Sequence, residues 1–289
     1  MVVPTKRAMV RWGLAVGAML LIAAAAVAQR GGRRGGFGGG FGGFGGPEPS
    51  SEDIPHQDAE FNFIRVEYTD NRGNIFGRRS RNGSGSGWWS QDWPDAENHF
   101  TVGVQRLTRI NAGDPRHLSF TDPQLFDYPF VYLTQTGYWD LSNEEIKQLG
   151  EYLRRGGFLM TDDFWGPNPQ EWENFEQTMQ EVLPNHPVTP IQLTDSVMHV
   201  LYDIQEKDLT FIPGSRHVDM STGQVYQPAG TNPQWKAIND DKGRMVVAVN
   251  YNTDIGDAWE WADVPQYPER MTNLAYHYGI NYLVYSLTH

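Results

Sequence analysis

Residues 141–165 read LSNEEIKQLGEYLRRGGFLMTDDFW: in order, a capped helix, a stop, a buried strand and two carboxylates at the strand's end. Ser142 and Glu145 have the spacing of a capping box, and Leu141 with Ile146 supplies the hydrophobic staple. Ile146, Leu149 and Leu153 form one apolar stripe, Arg154 and Arg155 suit the negative end of the dipole, and Gly156-Gly157 stops the helix. Residues 158–161 then run as a strand. Ligands of open α/β sheets bind beyond the carboxyl ends of the strands, so Asp162 and Asp163 mark a functional edge.

Working outward, residues 61–68 (FNFIRVEY) are β-rich and open the domain. After a polar loop comes WWSQDWPDAENHF, where Asp92 is expected to cap a helix with Pro94 in its first turn and Asp95 near its positive end. Phe100, Val104 and Leu107 fall on one face of that helix. Residues 129–134 (PFVYLT) form a nearly continuous apolar strand, as parallel sheets require. Asn168-Pro169 starts another helix, carried by Trp172, Phe175, Met179 and Leu183 and ended by Pro184. Residues 235–238 and 245–250 flank a turn and read as a hairpin, and a last helix covers about residues 268–286. Strands alternating with helices predict a three-layer α/β/α sandwich with a mostly parallel sheet. Its tips should carry residues 88–95, 134–139, 162–165 and 250–261, so four distant segments are expected to converge.

The N-terminus has its own logic. Lys6, Arg7 and Arg11 precede an apolar run that closes in Ala26-Val27-Ala28, the layout of a signal peptide over residues 1–28. Residues 29–58 read as a Gly-rich linker around RGGRRGGFGGGFGGFGG, and residues 59–289 as the α/β domain. A cysteine-free exported chain suits a bacterial periplasm, or the exterior. Net charge is −12; the first 46 residues hold six basic and no acidic groups, so the remainder carries −18. Such a surface repels nucleic acid and anionic lipid, leaving small polar ligands or envelope proteins as partners, with no stable membrane insertion once the leader is removed.

Several chemistries are excluded by motif. There is no thiol, no G-x-S-x-G elbow, no phosphate-loop G-K-[ST] after the glycines at 83–87, and no H-E-x-x-H. His199 and Asp203, four apart, can pair on a helical turn. Asp254, Asp257 and Glu260 suit a hard cation in type but not in calcium-loop spacing, so they read as an acidic loop and no metal ligand is assigned. No cofactor is defined. What remains is an aromatic, acidic edge: Trp88, Trp89, Trp93, Trp139, Trp165, Trp259 and Trp261 at strand tips beside carboxylates, a surface for stacking and hydrogen-bonding a neutral polar ligand. The candidate binding residues are Trp89, Asp92, Asp95, Gly137, Asp162, Asp163, Trp165, Asp254, Asp257 and Trp259.

The order of these segments resembles the bacterial domain-of-unknown-function family numbered 4159, itself similar to the class I glutamine-amidotransferase-like superfamily. The matching stretches are FNFIRVEY, WWSQDWPDAENHF, residues 129–166, LYDI at 201–204 and VNYNTDIGDAWEWAD at 249–263. The resemblance implies a flavodoxin-like sandwich in an exported protein. Working amidotransferases use a cysteine on a strand-to-helix elbow, and this chain has no cysteine. Two functions follow. One is a non-catalytic domain binding a ligand or partner at the strand-tip edge; the other is a carboxylate- or metal-dependent hydrolase of a carbohydrate-like substrate.

Overall fold

The computed structural model describes residues 59–71 and 87–289; the expected signal peptide, the expected Gly-rich linker and most of the glycine-containing stretch at 83–87 lie outside them. In chain order the elements are β1 (Ile64–Glu67), α1 (Asp95–Leu107), β2 (Arg116–Ser119), β3 (Phe130–Thr134), α2 (Asn143–Arg154), β4 (Phe158–Asp162), α3 (Pro169–Val182), β5 (Thr189–Pro190), β6 (Val218–Asp219), β7 (Gln224–Val225), β8 (Gln234–Asn239), β9 (Met245–Tyr251), α4 (Ile255–Glu260) and α5 (Glu269–Thr288). Seven strands form one sheet in the order β2-β1-β3-β4-β9-β8-β5, and β6 pairs with β7 apart from it. The first five lie parallel. β8 and then β5 extend the sheet antiparallel to their neighbours, so the expected hairpin is the β8–β9 pair.

Period-two alternation sorts the core into two layers. Phe130, Tyr132, Phe158, Met160 and Ala248 face the side covered by Phe100 of α1, Trp259 of α4 and Tyr278 and Tyr282 of α5. Val131, Leu133, Leu159, Val247 and Val249 face the other side, where Leu149 and Leu153 of α2 and Phe175 and Met179 of α3 pack. Burying each such leucine contributes about 1.5–3 kcal/mol. The capping box at Ser142 and Glu145 forms as its spacing requires, and Gly156 leaves α2 at φ 103°. Glu145 Oε1 also accepts the Thr69 amide at 2.9 Å, tying the start of α2 to the loop after β1.

Two expectations for α1 change. Phe100 and Val104 are buried, but Leu107, the last residue of the helix, is 49% exposed. Asp92 does not cap the helix with its side chain; only its carbonyl meets the Ala96 amide, at 3.1 Å. Strand β2 had no sequence signal.

The topology sets the position of the site. From β1 the chain crosses through α1 to β2 on one side, then passes to β3 on the other. That reversal opens a crevice above the carboxyl ends of β1 and β3. Among the described residues no helix, including the 20-residue α5, is long and apolar enough to cross a membrane.

Candidate functional site

Each of the four converging tip segments contains one non-glycine residue in the left-handed region: Asp92 at φ 65°, Gln135 at 57°, Asp163 at 52° and Asn252 at 60°. Asp and Asn tolerate that conformation better than most residues, because their short polar side chains bond locally. Its strain recurs at ligand sites. Here it breaks strand alternation and redirects a polar side chain at every exit.

Arg65 organises the segment after β1. Its guanidinium is fully buried over the Tyr132 ring, and Nε donates to Glu97 Oε1 at 2.6 Å. Nη1 donates to the carbonyls of Trp89 and Gln91, each at 2.9 Å, which clamps the turn leading to Asp92. Asp92 is 3% exposed; its Oδ1 accepts from Gln91 Nε2 at 2.9 Å, while Oδ2 is buried with no partner.

The two carboxylates ending β4 have separate partners. Asp162 is still within the strand and follows the parity of Phe158 and Met160, facing α4. Its Oδ1 accepts from the Tyr132 hydroxyl at 2.6 Å, and Oδ2 accepts the amides of Ile255 and Gly256 at 2.6 and 3.0 Å. It therefore serves the start of α4, and neither it nor Asp163 is solvated or caps the Asn168-Pro169 loop. Asp163 accepts from Trp165 Nε1 at 2.6 Å and from Gln135 Nε2, and lies 3.6 Å from Arg216.

The segment after β9 completes the cluster. Asp254 Oδ1 accepts the Asp257 amide at 3.0 Å, while Asp257 accepts the Ser215 amide at 2.5 Å and Trp261 Nε1 at 3.1 Å. A Cβ on Gly214 would stand 2.5 Å from Asp254 Oδ2, so only glycine lets this backbone approach. Gly137 has a similar role, since a Cβ there would lie 2.6 Å from Glu171 Cβ.

Above these carboxylates lies a cleft of about 460 Å³. Trp88, stacked on Tyr138 at 4.7 Å, and Trp165 form its aromatic walls, while Gln135, Asp163, Arg216 and Asp254 offer polar groups. Tyr138 and the Trp165 amide are both fixed by Glu171, at 2.6 and 2.7 Å.

Electrostatics follows from burial without enough counter-charge. Desolvation, reinforced by Asp257, Glu260 and Asp163, holds Asp92 well above the carboxylate range. Burial does the same to Asp254, with Asp163 and Asp257 adding repulsion. Burial pushes Asp162 up to about 6 despite its hydrogen bonds from Tyr132 and α4, and Asp163 up to about 7 despite Arg216. His217, on the cleft wall, is held below its ordinary value by burial and by Arg216.

The sequence candidates thus separate. Asp163, Trp165, Asp254 and Asp257 line the cleft, and Asp92 joins their cluster. Trp259 is fully buried between Phe63, Phe100 and Tyr132, so it belongs to the core. Trp89 stacks on His117, and Asp95 sits in the first turn of α1. Trp165 and Trp261 do place their N–H groups on aspartates, whereas those of Trp139 and Trp259 have no partner. His199 and Asp203 pair at 3.0 Å on the exposed surface. A fifth segment, residues 215–217, brings Arg216 and His217 to the cleft. No spacing marks it; its position depends on the long-range bond from the Ser215 amide to Asp257.

An α/β protein with an acidic, indole-walled cleft at the tips of its parallel strands is the class these features define. The chain belongs to the family described as Domain of unknown function (DUF4159), which matches residues 63–287. No curated protein matches the chain.

Proposed function

We propose that this is an exported binding domain that takes a neutral polar ligand of saccharide size into the strand-tip cleft. The observation that carries this reading is the pairing of two aromatic walls, Trp88 on Tyr138 and Trp165, with polar groups between them. Aromatic faces stack on the apolar side of a sugar ring while carboxylates and amides meet its hydroxyls. The cleft wall carries Asp163, Glu171, Asp254 and Asp257 against Arg216, a balance that disfavours anionic ligands. The strand order β2-β1-β3-β4-β9 supports a flavodoxin-like arrangement, in which the reversal beside the first strand is the ligand position. The leader-like residues 1–28 support a periplasmic or extracellular setting, with the Gly-rich segment as a tether.

Calorimetric titration with neutral malto-, cello- and chito-trioses tests the proposal. At least one should bind, and Trp165→Ala should weaken it tenfold or more. Absence of binding across a broad neutral panel refutes the ligand class. Release of shorter sugars during incubation would instead establish the hydrolase.

A further inference from the structure

Asp92, Asp163 and Asp254 come from three separate turns, yet one carboxylate oxygen of each lies within 4.8 Å of the others. Asp92 also belongs to a second such group, with Asp257 and Glu260. Oxygens bound to one calcium ion at about 2.3–2.6 Å stand at most roughly 5 Å apart, so both groups have the dimension of a coordination shell. All five residues are buried. Of the cations beside Asp92 and Asp163, Arg65 is engaged by Glu97 and two carbonyls, and Arg216 pairs with Asp163 from a side chain that is 57% exposed.

A second observation is independent of this clustering. Asp163 and Asp257 have hydrogen-bond donors at both oxygens, and Asp254 has one at Oδ1. Asp92 Oδ2 is buried and has none. A carboxylate oxygen withdrawn from water without a donor or cation is rare in folded proteins, because nothing replaces its hydration. The residue common to both groups is therefore one with a fully buried oxygen that no donor meets.

We infer that Asp92, Asp163 and Asp254 hold a hard divalent cation, calcium or magnesium, with Asp257 and Glu260 on its other flank. The donor set is all carboxylate oxygen, without sulfur or imidazole, which selects hard ions over zinc or copper. The segments carrying these ligands meet only in the folded chain, which is why no contiguous calcium-loop spacing announces the site. Asp163 and Asp254 also line the cleft, so the ion would meet ligand hydroxyls there; in this respect alone the inference rests on the binding function proposed above.

The test uses the whole chain, stripped with a chelator and titrated separately with calcium chloride and magnesium chloride. One ion per chain should bind in calorimetry and raise the thermal midpoint. Terbium at the site should luminesce when the indoles are excited and be displaced by calcium. Asp92→Asn should fold, since asparagine tolerates the left-handed backbone, and lose affinity tenfold or more. If that variant fails to fold, Asp254→Asn, which keeps a capping oxygen, carries the same expectation. Failure of both ions to bind the wild type overturns the inference, as does an Asp92→Asn protein that binds like wild type. Oligosaccharide binding without ion binding removes the cation and leaves the cleft function. Ion binding without oligosaccharide binding does the reverse.

Discussion

Lowering the pH should stabilise the chelated protein, the opposite of ordinary acid sensitivity. Asp162 and Asp163 are fully buried and pushed from 3.8 up to about 6 and about 7. The native state therefore binds more protons than the unfolded chain between pH 3.8 and 7, and unfolding free energy falls as pH rises through that window. At about 1.36 kcal/mol per unit, moving from pH 8 to pH 5 should add about 3 kcal/mol through Asp163 and about 1.4 through Asp162. These two groups together give roughly 4 kcal/mol. Asp92 and Asp254, also held above the carboxylate range, act in the same direction, while competition among the neighbouring carboxylates for the same protons reduces each share. Glu151 and Asp219, whose hydrogen bonds hold them below the carboxylate range, are fully exposed and screened by solvent. His217 acts the other way below pH 6.5, because its folded form resists protonation. Urea unfolding at pH 5, 6, 7 and 8 measures the slope, and Asp163→Asn isolates one share of it while retaining the His217 contribution. Stability that stays level or climbs from pH 5 to 8, with equal slopes in the variant, would refute the reasoning.

Other outcomes are expected from single residues. Glu97→Ala strands a buried guanidinium and should cost about 3–5 kcal/mol in urea unfolding. Trp259→Ala should cost a similar 3–5 kcal/mol, as a core truncation, and lower the thermal midpoint far more than it alters ligand binding. Ser142→Ala removes one half of the capping box and should cost about 1 kcal/mol without touching the cleft.

The helix–strand unit from Ser142 to Asp162 was legible because its signals are local: cap, stripe, glycine stop and apolar run lie within a few turns of one another. Strand β2 was not, since RHLS offers one fully buried apolar residue, Leu118, on a four-residue edge. That the tips converge could be argued from the parallel sheet, but which carboxylates would cluster could not. Asp92 shows why. Asp-x-Pro before a helix resembles a cap, and only the left-handed backbone, fixed by Arg65 from the sheet, turns its side chain inward. The W-E-W at 259–261 was ambiguous for a related reason. Trp259 lies within the short helix α4 and Trp261 just past its end. Trp259 is fully buried against α5, where a Cβ added to Gly279 would stand 2.5 Å from its ring, whereas Trp261 is only partly buried.

The four left-handed exits have an evolutionary consequence. Each holds a side chain where glycine would relax the backbone, and two of them add a carboxylate that the interior disfavours. Variants of this chain selected only for heat resistance should drift at positions 92 and 163 toward glycine or uncharged residues. They would emerge hardier and empty-handed, so tolerance of heat and retention of cargo should trade off at these two positions more sharply than elsewhere in the domain.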